Sequence, residues 1–526
     1  MSYRGVRKAT IPDREDCKVE EQMIENKQSS DQYEQYERLP VLLKRFTFHE
    51  KMQIANIYSS QAIMFNRNIR KNKRMVLPWS IETFVMLSME AEEYGTDNFQ
   101  GRNEKKAIKM FNAIWHATSE VLNYTCGEFG FIDIFLPLTL LSQNRCQEID
   151  WITKYRYWYM FGHNTDALPL KDIFEDRMGA PYENFLLFGE CLEIFFLAQA
   201  DNPKVSIPIE SLKYLIVDKF PNIARKLLIT REEYVELQRK YIQNSGDSYK
   251  YVYSLCPSMQ YPLVQKDDDI YFPLPHLLIQ SVTASLLYRV TENDNELRTT
   301  IGKEILEKYL FDIIEQSGIY QKVFPEQLYV KNKTETYSPD VLASQGEEIL
   351  FLDSKSTVPA AGIRTLDLQA YENNIKIVGE NISKLAKQIW EFAKYNPFGD
   401  DVSYDMKDHW GVVVVLEDSF IPRKHYYNKA REYLKLEEDS DMWKWVLNHV
   451  KVASLYEVEK ISLSGYSVLD ACKECFKEEP YSIAFSGFRR FNFLPTNKNA
   501  VEFHDLHQQK VDKLMREIEK VLKIEA

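Results

Sequence analysis

Apolar residues recur at helical spacing through the first half of the chain. They fall three or four positions apart over long segments, as in Ile108, Phe111 and Trp115, and this spacing gives a helix one apolar face. Runs rich in Gly, Asn, Asp and Pro separate the segments and indicate loops. The pattern therefore predicts a mostly α-helical region over residues 39–257. Residues 1–38, which are charged and rich in Gln and Ser, predict a flexible or partly helical lead-in.

The pattern of apolar positions changes after residue 257. Short apolar runs bounded by Pro and Asp predict a hairpin within 258–275 and a helix after it, so that 258–298 forms a connector. Residues 299–420 are then predicted to form an α/β unit with a hairpin in its middle and a helix on each side. The segment 421–526 is predicted to be mostly helical and to pack on that unit.

The α/β unit is predicted in more detail because its apolar runs are clearly bounded. The run from Trp410 to Leu416 is continuously apolar, as expected for a strand that is buried on both faces. The predicted helices of this unit are 299–316 and 378–395. Its predicted strands are 319–324, 337–343, 348–355 and 410–416. A long loop is predicted over 358–372. In the segment that follows, a strand is predicted near 452–456 and a helix at about 501–523.

Composition narrows the class of protein. The chain has 526 residues, which suggests about two to four domains, and its hydrophobic content of 44% supports packed cores. The net charge of −12 is unfavourable for a general polyanion-binding protein, so contact with nucleic acid needs a local basic patch or a metal ion. No stretch has the roughly 20 uninterrupted apolar residues of a membrane span. Seven scattered cysteines and no secretory signal favour the cytoplasm.

Two carboxylates and a lysine are expected to converge in the hairpin of the α/β unit. If the turn is centred on 345–346, Asp340 lies across from about Phe351, one same-face step from Asp353 on the partner strand. Side chains alternate along a strand, so Asp353 and Lys355 share one face. All three polar groups can therefore meet at one end of the hairpin.

This set of side chains suits the hydrolysis of a phosphodiester bond. Mg²⁺ prefers oxygen ligands and is usually held by one or two carboxylates together with waters and phosphate oxygens. Such an ion polarises the phosphoryl oxygen and lowers the pKa of a bound water, and a nearby lysine orients that water or stabilises the oxyanion. The alternative is an ordinary hairpin whose surface charges pair as a salt bridge.

The order of these residues carries a family resemblance. Pro339-Asp340, an apolar strand and then Asp353-Ser354-Lys355 resemble the motif of the PD-(D/E)xK nuclease superfamily, with Asp353 where many members have Glu. The resemblance covers about residues 299–416. It implies an α/β restriction-endonuclease-like core, with a central mixed sheet flanked by helices, joined here to the large, mostly α N-terminal region.

The resemblance also implies a metal site. Asp340, Asp353 and the backbone carbonyl of Ser354 would hold Mg²⁺ or Mn²⁺. Lys355 would assist the attacking water.

Two helices are implied to complete the site. In the helix before the strands, Glu307 matches the glutamate that often completes the metal site in this superfamily, and Glu304 is the competing choice. In the helix after the motif, Gln388 falls where many members have a glutamine or lysine that faces the site.

Basic and aromatic residues outside the motif leave alternatives open. Lys384 and Lys387 lie on one helical stripe, which is either a solvated face or an edge that contacts phosphates. The run from Trp151 to Tyr159 interleaves aromatic and basic side chains. It predicts either a packed core or a surface on which unpaired bases stack.

These expectations combine into a metal-dependent nuclease of the cytoplasm. The family resemblance favours DNA over RNA as the substrate, and it suggests a role in phage defence or DNA processing by analogy. Expected partners are nucleic acid and either a second copy of the chain or a defence-system protein, and no membrane. Two other classes remain open: a nucleic-acid-binding or assembly subunit with a degenerate nuclease core, and a helical scaffold whose hairpin is fortuitous.

Overall fold

A computed structural model gives the fold of most of the chain. It describes residues 34–67, 76–91, 93, 103–125, 129–130, 133–135, 137–138, 141, 151–201, 213–242, 251, 254–331, 333–365, 367–392, 398, 405–476 and 496–524. The protein has mixed α/β architecture with a helical N-terminal region. Most of the predicted lead-in, residues 1–33, lies outside the described residues.

The N-terminal region consists mainly of helices, as its apolar periodicity predicts. They are α1 (Glu34–Leu43), α2 (Phe48–Arg67), α3 (Pro78–Glu90), α4 (Asn103–Thr125), α5 (Trp151–Gly162), α6 (Leu170–Met178), α7 (Tyr182–Asp201), α8 (Pro221–Leu227) and α9 (Arg231–Ile242), with a π-helical segment at Tyr214–Lys219. In α3 the consecutive residues Phe84, Val85 and Met86 are all buried. Consecutive residues point to different sides of a helix, so this part of α3 is packed on every side.

A small sheet joins this region to the predicted connector. Strand β1 (Leu228–Thr230) pairs in parallel with β2 (Leu263–Lys266), and β2 forms an antiparallel hairpin with β3 (Asp269–Tyr271). The hairpin lies within the predicted range 258–275. The strand β1 is a departure from the all-helical prediction for 39–257, because a three-residue strand has no periodicity that a sequence pattern could reveal.

The sheet that positions the candidate site is mixed. The remaining strands are β4 (Lys322–Pro325), β5 (Leu328–Lys331), β6 (Thr334–Tyr337), β7 (Val341–Gln345), β8 (Glu348–Lys355), β9 (His409–Val415) and β10 (Val450–Ser454). Five of them form one sheet in the order β10-β9-β8-β7-β4, in which β8, β9 and β10 are parallel while β7 is antiparallel to both of its neighbours. Strands β5 and β6 form a separate antiparallel hairpin.

Helices surround this sheet. They are α10 (Leu278–Ser281), α11 (Ala284–Val290), α12 (Asn295–Ile301), α13 (Glu307–Glu315), α14 (Ala361–Arg364), α15 (Leu368–Phe392), α16 (Arg423–Leu434), α17 (Asp441–His449), α18 (Leu455–Ser462), α19 (Val468–Phe476) and α20 (Lys498–Ile524), and a π-helical segment at Gly302–Leu306 joins α12 to α13. The loop predicted over 358–372 is wrong in large part, because α14 lies within it and α15 begins ten residues before the predicted helix.

The two faces of the mixed sheet belong to two different cores. Successive side chains of a strand point to opposite faces. On one face Val341, Leu350 and Val412 pack with apolar residues of α5, α7, α13 and α20. On the other face Phe351 and Val413 pack with α15, α16 and α17. Both faces are covered, which explains the uninterrupted apolar runs 349–352 in β8 and 412–415 in β9.

The first of these cores extends through much of the chain. It includes residues from Ile152 to Ile518, so packing is continuous across the predicted boundary between 298 and 299. A buried ion pair lies within it, in which Arg156 of α5 donates to Glu459 of α18, with Nε 2.7 Å from Oε1. The N-terminal helices therefore form part of the support of the sheet.

Hydropathy of the helices bears on the membrane prediction. Within the described ranges, each helix is either too short or too polar to span a lipid bilayer.

Candidate functional site

The hairpin of β7 and β8 brings the two motif aspartates face to face. Gln345 pairs with Glu348, so the turn is formed by residues 346–347, and Gly346 takes a φ of +64° that favours glycine there. The last paired residues at the other end are Val341 and Leu352, and continuing this register by one residue places Asp340 opposite Asp353.

This register corrects the sequence-based pairing. Asp340 was expected to lie across from Phe351, but the turn falls one residue later than predicted, and the partner residue therefore shifts by two. A shift of two residues keeps side chains on the same face. The expected convergence of the two carboxylates is therefore retained, and they lie closer together than the prediction had them.

Each aspartate has a protein partner at short distance. Asp340 Oδ2 accepts hydrogen bonds from the backbone N–H of Ser354, at 2.6 Å, and from its hydroxyl, at 2.7 Å. Asp353 Oδ2 lies 2.7 Å from Lys355 Nζ. Asp353 is only 1% exposed and Asp340 only 8%. Buried carboxylates need such partners, because an unpaired charge in a protein interior is costly.

Ser354 was predicted to contribute its backbone carbonyl to a metal. The contacts that this residue makes in the site come instead from its N–H and its hydroxyl, which hold Asp340. The role of the carbonyl stays a prediction.

Two carboxyl groups of the site have pKa values well above their ordinary range. Burial, and then the charge of Asp353, raises the pKa of Asp340 to about 6, against the opposing effects of Lys355 and Ser354. Burial, and then the charge of Asp340, raises the pKa of Glu307 to about 8. Carboxylates that share a site without enough positive charge are expected to resist ionisation in this way.

Lys355 keeps its charge in this environment. Its burial acts to lower its pKa, but the charges of Asp353 and Asp340 outweigh that effect, and the pKa lies above its usual value. The ammonium group therefore supplies positive charge beside Asp353 at neutral pH.

The helix before the strands carries Glu307 into this group. Glu307 begins α13, and Asp340 and Lys355 both act on its pKa. Glu304, the competing choice, lies one turn earlier within the π-helical segment. In that segment a Cβ at Gly302 would lie 3.4 Å from the Cβ of Ser356. The helix backbone therefore approaches the residue that directly follows Lys355, and this approach brings Glu307 close to the strand end.

Glu326 is a further acid of the site that sequence reasoning missed. It follows β4, and its pKa is raised by burial and by the charge of Asp353, against the effects of Lys303 and Lys384. The motif of the superfamily gives no signal at this position. Only the pairing of Pro325 with Val341, which sets the end of β4 beside the start of β7, brings it close.

The predicted residues of α15 differ in what they contact. Gln388 Nε2 donates to the backbone carbonyl of Tyr337 at 3.1 Å, three residues before Asp340, and its Oε1 is buried with no hydrogen-bond partner in the part of the chain that the structure describes. Lys384 is exposed but reaches Glu326 electrostatically. Lys387 is exposed on the same helix and stays a prediction as a phosphate contact.

The aromatic run of α5 is largely core. Tyr155 and Tyr157 are buried and pack in the core that covers the sheet, which favours the packing alternative over a surface for stacked bases. Trp158 is partly buried against the same core and stacks with Tyr155 at 5.9 Å between ring centroids.

The donor set can be tested against the metal that the motif implies. Among the described residues, no three His, Cys, Asp or Glu side chains come together in an arrangement that would hold a metal ion. Mg²⁺ needs only one or two carboxylates beside waters, and Asp340 and Asp353 supply that number of oxygen-bearing groups. Their chemistry therefore fits Mg²⁺ or Mn²⁺ as a two-carboxylate site.

Comparison with known proteins finds no relative of this chain. No family model, no curated protein and no solved structure matches this chain. The site is therefore interpreted from its own residues: two paired aspartates, one charged lysine, and the neighbouring Glu307 and Glu326, whose pKa values are raised mainly by burial.

Proposed function

We propose that this chain is a metal-dependent nuclease with a restriction-endonuclease-like core, hydrolysing phosphodiester bonds at the open end of β7 and β8. The observation that carries the proposal is the meeting of Asp340, Asp353 and Lys355 at one end of the hairpin. Glu307 lies near enough for Asp340 and Lys355 to act on its pKa. An excess of carboxylates around a single lysine is unfavourable without a further cation, and a divalent ion relieves it.

The aspartates are the proposed metal-holding residues. Asp340 and Asp353 would hold Mg²⁺ or Mn²⁺, which when bound polarises a phosphoryl oxygen and lowers the pKa of a water. Ser354 fixes the orientation of Asp340 through two hydrogen bonds. A carboxylate held in this way needs little reorganisation when it binds a cation.

Lys355 is proposed to supply the positive charge that assists the reaction. It stays charged, it lies 2.7 Å from Asp353, and its side chain retains some exposure, at 24%. From that position its ammonium can orient the attacking water or stabilise the negative charge that develops on the phosphoryl oxygens.

Glu307 is suited to proton transfer. A carboxyl whose pKa lies near 8 is mostly protonated at neutral pH, and a group with a pKa close to the working pH is an efficient general acid or base. We assign Glu307 this role rather than that of a metal ligand, because no third side chain joins the two aspartates in a metal-holding arrangement among the described residues. Gln388 and Lys384 line the approach to the site.

The substrate proposed is DNA, with phage defence or DNA processing as the biological setting and a second copy or a defence-system protein as a partner. A second candidate function is a nucleic-acid-binding or assembly subunit without turnover. One observation favours it: without a metal, Asp340 already accepts two hydrogen bonds from Ser354, and Asp353 is already paired with the charge of Lys355.

A cleavage assay separates the two candidates. The protein is incubated with plasmid, linear and single-stranded DNA and with RNA, in Mg²⁺, Mn²⁺ or EDTA, beside Asp353→Ala and Lys355→Ala. We expect metal-dependent cleavage by the wild type and a loss of at least about 100-fold in both variants, because Asp353 would hold the metal and Lys355 would act on the attacking water or the phosphoryl oxygens.

A matched variant controls for folding. Lys451 is a buried lysine of β10 whose Nζ donates to Leu447 O at 2.9 Å, and Lys451→Ala should leave the cleavage rate per folded molecule unchanged. Equal cleavage by the wild type and both site variants would contradict the proposal. Binding of nucleic acid without cleavage in any metal would support the second candidate.

A further inference from the structure

A cleft of about 540 Å³ lies between α5 and α20. The π-helical segment and the start of α13 close it on a further side, through Ile305 and Lys308. Cavities of this size hold small organic molecules. Asp340, Asp353 and Lys355 do not line it. Its aromatic and aliphatic lining consists of Tyr155, Trp158, Tyr159, Ile305, Phe503 and Leu506.

The aromatic rings of this lining hold one another in place. Trp158 lies 4.9 Å from Phe503 between ring centroids, and the ring of His163 meets Trp158 edge-on at 4.7 Å. Phe503 in turn stacks on His507 at 5.5 Å, with 13° between the ring planes. Rings fixed in this way need little rearrangement to receive a ligand. Aromatic rings carry negative charge on their faces and attract cations there.

Helix α20 lines the cleft with one side of its surface. Glu502, Leu506 and Lys510 are spaced four residues apart and therefore lie along one stripe of the helix. Leu506 is 51% exposed although it lines the cleft together with the rings. Water thus has access to apolar surface that the body of a ligand would cover.

The charges around the cleft favour a cation over an anion. Lys510 forms an ion pair with Glu183, which also lines the cleft. Lys308 Nζ lies 3.4 Å from Asp312 Oδ2. Glu502 is exposed and has no basic partner within the described ranges. With the imidazoles neutral, these side chains supply three carboxylates for two ammonium groups, and such an imbalance attracts positive charge.

The two histidines of the cleft differ in what they offer a ligand. His163 Nδ1 lies 3.1 Å from the backbone carbonyl oxygen of Tyr159. A carbonyl oxygen only accepts, so Nδ1 carries the hydrogen in the neutral ring and Nε2 is an acceptor. His507 Nε2 is occupied, since it lies 2.7 Å from Glu190 Oε2. The Glu502 carboxylate and His163 Nε2 can therefore both accept from an N–H donor of a ligand.

We propose that the cleft between α5 and α20 binds a small aromatic cation, in which an amidinium or ammonium group is carried on a flat ring. The aromatic lining covers the ring, and Glu502 accepts from the cationic group. A nucleic acid or another polyanion would meet an excess of carboxylates here. The inference is independent of the proposed nuclease function, because it depends on other residues.

The test uses three flat probes of nearly equal size. They are para-aminobenzamidine, para-aminobenzamide and para-aminobenzoate, whose variable groups are positive, neutral and negative. Their affinities for the full chain are measured by ligand-observed NMR titration in metal-free buffer without nucleic acid. The variants are Glu502→Gln and Leu506→Arg. The matched controls are Glu519→Gln, at an exposed position of the same helix, and Leu506→Met.

We expect the wild type to bind the amidine most tightly and the benzoate most weakly. Glu502→Gln should weaken binding of the amidine about tenfold, as loss of a charge-assisted hydrogen bond does, and should leave binding of the amide unchanged. Leu506→Arg should abolish binding of both probes, because it adds bulk and positive charge to the cleft. Both control variants should bind like the wild type, and all variants should keep its melting temperature, since the changed side chains are exposed.

Other results would overturn the inference. One is the absence of amidine binding by the wild type at millimolar concentration. Another is binding of the amide or the benzoate as tight as that of the amidine, which would mean that Glu502 does not select a cation. A third is equal amidine binding by Glu502→Gln and Glu519→Gln. Failure of the nuclease proposal would leave all of these measurements unaffected.

Discussion

Two groups of charged side chains are withdrawn from water in this protein, and their charges are balanced differently. The acid cluster, formed by Glu307, Asp340, Asp353 and Lys355, has three carboxyls for one ammonium. In the second group each oxygen of the Glu82 carboxylate has its own partner. The comparison shows that burial of charge takes two forms here: one group pairs its carboxylate oxygens with basic partners, and the other leaves an excess of carboxyls that an additional cation would balance.

The second group, here named the Glu82 cluster, consists of Ser59, Glu82, His276 and Arg364. Ser59 Oγ lies 2.7 Å from His276 Nδ1, His276 Nε2 lies 3.2 Å from Glu82 Oε1, and Arg364 Nη2 donates to Glu82 Oε2 at 3.3 Å. Serine, histidine and glutamate in series resemble a hydrolytic triad. All four are at most 4% exposed, so no substrate reaches them, and their role is to join α14 to the N-terminal helices.

The largest expected effect comes from breaking the balanced cluster. Glu82→Ala leaves the buried Arg364 guanidinium without that carboxylate, and we expect a loss of about 3–5 kcal/mol in stability. Cleavage per folded molecule should remain. Urea denaturation followed by fluorescence measures the loss, with the exposed Glu232→Ala on α9 as the control. Equal stability of the two variants would show that the Glu82 cluster is not a structural one.

An intermediate effect is expected from adding a cation to the acid cluster. A ligand that binds only the folded state adds about 2.7 kcal/mol at a hundredfold excess over its Kd. Mn²⁺ should therefore raise the melting temperature of the wild type and of Glu82→Gln, but not of Asp353→Asn. A rise of the same size in Asp353→Asn would mean that the ion binds outside the acid cluster, and the contrast between the two clusters would fail.

The smallest effect is the pH dependence of stability. Folding raises the pKa of Glu307 from 4.5 to about 8, so the folded state holds the proton more tightly, and stability falls as the pH rises through that window. Glu307→Gln removes this loss. In EDTA the variant should be more stable than the wild type by about 1 kcal/mol at pH 8.5, after allowance for solvent screening, with a much smaller difference at pH 4.5.

A control locates this pH effect. Glu315→Gln, at the other end of α13 and exposed, should follow the wild type at both pH values in thermal denaturation. If Glu307→Gln also follows the wild type, Glu307 is not held protonated by the acid cluster.

Strong local patterns explain what the sequence could predict of the fold. The strand 348–355 was predicted with the bounds that β8 has, because a short apolar run with charged residues at both ends is typical of a buried strand. The start of α15 was missed even though Tyr371, Ile375 and Val378 lie at helical spacing and are buried. The signal was Asp367, whose carboxylate accepts from the N–H of Gln369 and marks the helix start.

The candidate site was predictable where it lies within one hairpin. Alternation along the strands puts Asp340, Asp353 and Lys355 on one face, and the error of two residues in the predicted register left that face unchanged. Glu326 was not predictable, since its place depends on the pairing of β4 with β7. Gln388 was placed on the correct helix, but its hydrogen bond to the Tyr337 carbonyl depends on tertiary packing.

The continuous core from Ile152 to Ile518 has a consequence for synthesis in the cell. Phe503, Leu514 and Ile518 of α20 complete the packing over one face of the mixed sheet, and a domain is stable only when its apolar faces are covered. The nascent chain therefore cannot finish this core until residue 518 has left the ribosome. Until then the apolar face of the sheet that α20 covers stays open, so this face is exposed to contact with other chains during synthesis.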